Sequence, residues 1–316
     1  MTEEFIRPDV RAFLDYVYSR PGPRTWEVDA PTARVMSQKM RAFADVESPA
    51  ISCRRDLMIP APDGRTIAAR FYDAREAREM GPLIVYIHGG GFVFGDLDIY
   101  DAACADIAIA MDLPLLSIDY RLAPEHPWPA APDDCEAATR WIADQGVLFD
   151  RRFDSMVLAG DSAGGTLTIV TAMALRDQAA ALPLIAIWPI YPAVDLRRRY
   201  PSTERLGEGY MLDLNTLRWF NEAYNPDFSH WRASPRAGNQ AGMPPCLVVT
   251  ASLDPLLDQG RAFAISCIEA GIPTVYREAK GTIHGWLTLR KAIPSGDTDL
   301  AGCTTALRTI IEEYRP

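Results

Sequence analysis

The sequence predicts an α/β protein, with a mostly parallel central sheet, helices on both faces and a helical cap. Three observations carry this. Short apolar runs alternate with helical stretches from Leu83 onward, the pattern of a parallel sheet covered on both sides. Gly160-Asp161-Ser162-Ala163-Gly164-Gly165 stands between one such run, Ser155 to Ala159, and a helical stretch, Thr166 to Leu175. From Pro192 to about Gly242 there is no strand candidate, a span too long for a plain connection inside such a domain.

The elements follow in chain order. Val10 to Tyr18 and Ala33 to Phe43 read as amphipathic helices separated by Pro21-Gly22-Pro23. Arg54 to Pro60 and Thr66 to Tyr72 alternate as strands, and Pro62-Asp63-Gly64 between them signals a hairpin. Leu83 to Ile87 and Leu113 to Ile118 are fully apolar or nearly so, as central parallel strands are. A helix from about Pro132 to Gln145 follows, then the Met156 to Ala159 strand with its helix. Leu184 to Ile190, Cys246 to Ala251, a helix to about Ala270, Pro273 to Glu278 and a final helix over about Thr298 to Tyr314 complete the series. Within the strandless segment one helix is expected, Leu214 to Tyr224, with Asp213 as its N-cap. The expected division is a cap made of residues 1–45 and 192–242, and a catalytic domain made of residues 46–191 and 243–316.

The chain has 316 residues, 48% of them hydrophobic, enough for one large domain with an insertion. Its formal net charge is −10 and no Lys/Arg-rich run occurs. That argues against nucleic acid and against a polybasic membrane surface. Met1-Thr2-Glu3-Glu4-Phe5 lacks the basic-then-apolar order of a signal peptide. The longest apolar stretch, Leu182 to Val194, holds three prolines and is too short to cross a bilayer. A soluble cytoplasmic protein is expected. Six scattered cysteines without a C-x-x-C pair are expected to be reduced and mostly buried.

G-x-S-x-G between strand and helix is the signature of a nucleophile elbow, which exposes Ser162 at the tip of a tight turn. Gly160 and Gly164 remove bulk on either side of it. Such a serine needs a base, an orienting acid and an oxyanion hole. Four histidines occur: His88, His126, His230 and His284. In the order Ser, acid, His only the last two qualify, and His230 lies in the strandless segment. His284, between the last strand and the last helix, is the expected base. Asp254, directly after the Cys246 to Thr250 run, is the expected acid and a candidate N-cap, with Asp258 as runner-up. His88-Gly89-Gly90-Gly91-Phe92 follows the Leu83 to Ile87 strand, and its glycines let backbone amides approach a developing oxyanion. The expected donors are Gly89, Gly90 and Ala163. No Lys-Ser/Thr follows the glycines, which excludes a P-loop. His88 is read as structural.

These motifs resemble the hormone-sensitive-lipase-like carboxylesterases of the α/β-hydrolase superfamily. So do Asp119-Tyr120-Arg121-Leu122-Ala123-Pro124-Glu125 ahead of Pro127-Trp128-Pro129-Ala130, Asp254-Pro255-Leu256-Leu257-Asp258 and His284-Gly285. Within the family the chain looks most like bacterial acetyl esterases. Trp286 stands where Phe is commoner, which bears on pocket shape. The resemblance implies an α/β-hydrolase fold with a lid, hydrolysis of short-chain acyl esters through Ser162, His284 and Asp254, and no metal or organic cofactor. His88, Gly91, Asp161 and Glu125 support the motifs, with Arg121 and Glu125 expected in buried bracing contacts. Phe92, Phe94, Trp188, Tyr191 and Tyr210 are candidates to line the pocket. The expected partner is a small-molecule ester, and the reading allows a homodimer. Two alternatives stand beside it: an amidase such as an aryl formamidase on the same triad, and a receptor-like relative that binds a ligand without turnover, against which His284 speaks.

Overall fold

The hairpin signalled by Pro62-Asp63-Gly64 forms: β1 (Cys53–Pro60) pairs antiparallel with β2 (Thr66–Asp73). The computed structural model describes residues 4–315; Met1 to Glu3 of the acidic start, and Pro316, lie outside the described residues. Upstream of the hairpin come α1 (Pro8–Ser19), a 3-10 turn (Thr25–Glu27) and α2 (Ala30–Ala44), whose N-cap Asp29 accepts the Thr32 amide. Downstream come β3 (Gly81–Ile87), α3 (Asp101–Met111), β4 (Leu115–Asp119), α4 (Ala130–Gln145), β5 (Val147–Leu148), β6 (Arg151–Asp161) and α5 (Ala163–Asp177). β7 (Leu184–Ile190), α6 (Pro201–Arg205), α7 (Leu214–Tyr224), β8 (Cys246–Leu253), α8 (Leu257–Glu269), β9 (Thr274–Ile283) and α9 (Gly296–Tyr314) follow.

The strands lie in the order β1-β2-β4-β3-β6-β7-β8-β9, with β5 paired only to β6. β2 meets β4 antiparallel, and every pairing from β4 to β9 along this path is parallel. Alternate residues of the central strands enter opposite cores. Leu83, Val85, Ile87 and Leu158 join one apolar cluster, while Ile84, Tyr86, Val157 and Ala159 join the other. Burial on both faces is why these strands show no polar alternation. A third cluster joins Val10, Phe13 and Leu14 of α1 to Leu206, Leu253, Leu257 and Ile283.

The chain passes from β3 to one side and then back to the other, so β3 and β6 border a topological switch point. Open α/β sheets bind ligands beyond the carboxyl ends of such strands. Ile87 is registered with Gly160, so the His88 loop and the Ser162 turn leave the sheet side by side.

Several elements depart from expectation. Helix α3 was not foreseen; seven of its residues are buried, so it carries no polar stripe to mark it. The strandless segment holds α6 as well as α7, and α7 does begin with Asp213 accepting the Thr216 amide. β6 starts at Arg151, upstream of the expected Met156, and β9 runs past Glu278 to Ile283.

Candidate active site

The turn at Ser162 is built by what cannot fit beside it. Ser162 adopts φ 53°, ψ −120°, a conformation that side-chain-bearing residues rarely hold. A Cβ on Gly160 would come within 2.5 Å of the Ile87 carbonyl oxygen, and one on Gly164 within 1.9 Å of it. The two glycines therefore let the β3 backbone lie directly against the turn. The Ser162 amide donates to the Ile190 carbonyl (2.8 Å), tying the turn to β7.

Longer β9 delivers His284 immediately after its last residue. His284 Nε2 lies 2.8 Å from Ser162 Oγ, and Nδ1 lies 2.7 Å from Asp254 Oδ2. With Nδ1–H donating to the carboxylate, Nε2 is left to accept the serine hydroxyl proton. Asp254 is fully buried, and its other oxygen accepts the Leu256 amide (2.8 Å). The expected N-cap role is corrected: α8 begins later, with Leu256 at its cap, and Asp254 closes the turn before it. The runner-up Asp258 accepts the Ser202 amide and pairs with Arg261. His230 sits between Trp128 and Trp231.

The glycine run holds one correction. Gly89 donates its amide to Asp161 Oδ1 (2.9 Å), so that donor is committed inside the protein. Gly90 and Gly91 donate to no group among the described residues, and both line the cavity in front of Ser162. They adopt φ +116° and +62°, left-handed conformations that favour glycine. Ala163 opens α5, whose first amides lack helical partners. This leaves Gly90, Gly91 and Ala163 as the candidate donors, in place of Gly89, Gly90 and Ala163.

Asp161 anchors this loop from beneath. Besides Gly89, Tyr86 (2.9 Å) and Tyr100 (3.1 Å) donate hydroxyls to its carboxylate, and Tyr191 reaches 3.4 Å. Burial pushes its carboxyl pKa up, against hydrogen bonds from Tyr86 and Tyr100 and the charge of Arg41. His88 is held inside the loop: Nδ1 contacts the Gly89 carbonyl (2.8 Å), the ring stacks on Tyr120, and the Tyr120 hydroxyl donates to the His88 carbonyl (2.9 Å).

Glu125 differs from expectation. Its side chain is 49% exposed and pairs with Arg34 of α2 (2.6 Å), while Arg121 pairs with buried Asp134 (2.8 Å). Among the pocket candidates, Phe94 faces the Ser162 cavity, and Phe92 borders a smaller one while stacking on Tyr224 at 3.8 Å. Trp188, Tyr191 and Tyr210 are corrected. Trp188 is fully buried in the core of β7. Tyr191 packs against the His284 ring and points at Asp161. Tyr210 turns into the α1 cluster, leaving its neighbours Met211 and Leu212 at the cavity.

Sequence reasoning missed Phe220, Thr216, Thr25 and Arg41, which complete the cavity wall. Arg41 donates to the carbonyls of Gly285 (3.4 Å) and Thr288 (2.9 Å) and so braces the His284 loop. Among the described residues no cluster of His, Cys, Asp or Glu could hold a metal ion, and no helix is long and apolar enough to cross a membrane. A serine hydroxyl on an imidazole that a carboxylate orients, facing unpaired amides, is equipped for nucleophilic acyl transfer.

The family profile of the α/β hydrolase fold matches residues 84–288. Esterase LipI of Mycobacterium tuberculosis is 35% identical, over 81% of this chain and 82% of that protein. The ethyl acetate hydrolase of Pseudomonas putida is 32% identical, over 96% of this chain and 98% of its own length. An ester hydrolase from the metagenome of Lake Arreo, solved with a bipyridine phosphonate derivative, aligns with a TM-score of 0.91 at 35% identity, covering 96% of this chain and 98% of that one.

Proposed function

We propose, for a chain that belongs to the hormone-sensitive-lipase-like carboxylesterases of the α/β-hydrolase fold and is itself a carboxylic ester hydrolase, that it works through a Ser162–His284–Asp254 triad on short-chain acyl esters. The observation that carries the triad is the continuous hydrogen-bonded line from Asp254 through His284 to Ser162, with links of 2.7 and 2.8 Å.

In this reading His284 takes the Ser162 proton as the oxygen attacks the ester carbonyl. Asp254 holds the imidazole in the productive tautomer and stabilises the imidazolium. The amides of Gly90, Gly91 and Ala163 receive the oxyanion. His284 then protonates the departing alkoxide, and a water activated by the same nitrogen releases the acid from the acyl-enzyme. Each oxyanion donor of this kind contributes roughly 3–4 kcal/mol. The N-terminal helices and residues 192–242 act as the cap, since Thr25, Arg41, Met211, Thr216 and Phe220 all border the Ser162 cavity.

An alkyl phosphonate should label Ser162 stoichiometrically in the intact protein, detected by peptide mass. The same treatment should abolish p-nitrophenyl acetate turnover. Wild-type turnover by Ser162→Ala would overturn the assignment. Rates on p-nitrophenyl acetate through octanoate should peak between acetate and hexanoate.

A further inference from the structure

Two cavities touch Ser162, and they differ in size and in what lines them. One, about 130 Å³, is bordered by His284 and Gly285 together with Arg41, Met211 and Thr216. The other, about 30 Å³, lies against Ser162 and Ala163 and is closed by Leu196, Leu217 and Leu256; His284 does not border it. Leu212 and Phe220 belong to both walls and stand between them. The chemistry decides which half of an ester each receives. The departing alkoxide must collect its proton from His284 Nε2, so the alcohol lies in the cavity that His284 borders. The acyl substituent is left with the smaller one, of about 30 Å³.

The larger cavity continues outward. Thr25, Met211 and Thr216 also form the rim of a groove of about 610 Å³ between α1, the Thr25–Glu27 turn and α2. The groove's floor is mostly apolar, from Tyr16, Val17, Trp26, Met36, Met40 and Phe43, with the charged Arg20, Arg24, Lys39 and Asp213 also on its lining. Tyr16 and Phe43 stack at 4.9 Å, yet Phe43 remains 47% exposed and Tyr18 38% exposed. This apolar surface is continuous with the leaving-group side of the site and not with the acyl side.

We infer that the substrates are acetyl or propionyl esters of long or bulky apolar alcohols, whose alcohol part runs past Thr25 and Met211 into this groove. This rests on the serine-esterase reading above. The short-chain limit then applies to the acyl half alone, and the alcohol half is where selectivity by size resides.

The test uses two ester series on the full-length protein: acetates of ethyl, hexyl and decyl alcohol, and ethyl esters of acetate, butyrate and hexanoate. Expected is a rise in kcat/KM along the first series and a fall along the second. Phe43→Glu places a charge in the groove at an exposed position; it should lower the decyl-to-ethyl acetate ratio of kcat/KM by roughly tenfold. Leu217→Ala opens the small cavity and should raise the hexanoate-to-acetate ratio. A flat or falling alcohol series would overturn the inference, as would a Leu217→Ala shift in alcohol rather than acyl preference. So would a Phe43→Glu variant that changes the molecular mass in solution and leaves the ester ratio intact, which would assign the groove to a second copy. If no ester is turned over and Ser162 takes up no phosphonate, the underlying esterase reading fails instead.

Discussion

The amide of Gly89 is bound to Asp161 Oδ1 at 2.9 Å, and this bond fastens the glycine loop to the residue that precedes the nucleophile. The first glycine of the run thereby serves as an anchor, and the next two turn toward the site.

Asp161→Asn should separate activity from stability. Loss of the anionic acceptor under Gly89 should loosen the loop and lower kcat by about 10- to 100-fold, with KM little changed, because the amides matter most at the oxyanion. Burial raises the Asp161 pKa in the folded protein. For a carboxyl raised in this way, ionisation works against folding: its contribution is fully present below the unfolded value and is lost as pH rises through the folded one. The Tm of the Asn variant relative to the parent should therefore shift in the variant's favour between about pH 4 and about pH 8. The reverse shift in a thermal melt would contradict burial as the dominant effect.

Alanine at Gly91 meets two obstacles. The residue adopts φ +62°, and a Cβ would come within 2.4 Å of the Phe220 ring. Gly91→Ala should push α7 away from the site and reduce kcat/KM by roughly a hundredfold or more. Combining it with Phe220→Ala should recover part of the loss, since the smaller side chain relieves the clash but not the backbone strain. A double variant no better than the single one would show that the strain alone matters.

Two aspartates lie four residues apart in the DPLLD stretch, and only one faces His284. Asp254→Asn should lower kcat by about 10⁴-fold through the wrong imidazole tautomer. Asp258→Asn should leave kcat within a few-fold, because Asp258 binds Ser202 and Arg261. Comparable losses in steady-state assays of both would refute this division.

The Arg34–Glu125 pair predicts an acid limb. Its hydrogen bonds to Arg34 hold the Glu125 carboxyl down at about 2, below its usual 4.5. A carboxyl lowered in this way adds stability above its unfolded value, and that stability is lost as pH falls toward the folded one. Solvent screens this exposed pair, so the effect is small. Glu125→Gln should flatten the decline in Tm between about pH 5 and pH 3, and an unchanged slope would rule the pair out as a contributor.

The candidate triad was readable because Ser162 and Asp254 each follow an apolar run that forms a strand, and His284 follows the more polar strand Thr274–Ile283. Chain order then reduced the histidines to two. Which glycine of the run is held away from the cavity was not legible. Three consecutive glycines look alike, and which amide turns inward depends on Asp161, a residue 72 positions away. Trp188 and Phe94 were indistinguishable for a related reason. β7 is buried on both faces, so its pattern does not tell which side chains look toward a cavity. Arg34 and Arg41 carried no signal at all, since their partners are backbone carbonyls and a carboxylate far along the chain.

Helix α2 ties two loops that never touch it in sequence. Arg34 holds the Val93 and Ala123 carbonyls beside the glycine loop, and Arg41 holds the Gly285 and Thr288 carbonyls beside the base. Both sets of bonds lie outside the line from Asp254 through His284 to Ser162, so their loss should disturb the placing of the two loops before it disturbs the turn at Ser162. A split at residues 45–49 would make α1 and α2 one separate piece that should restore turnover when added back, since α1 carries its own anchor in Val10, Phe13 and Leu14 packed against Leu253 and Ile283. That turns the amino-terminal region into a natural place to build a ligand-gated or light-gated esterase.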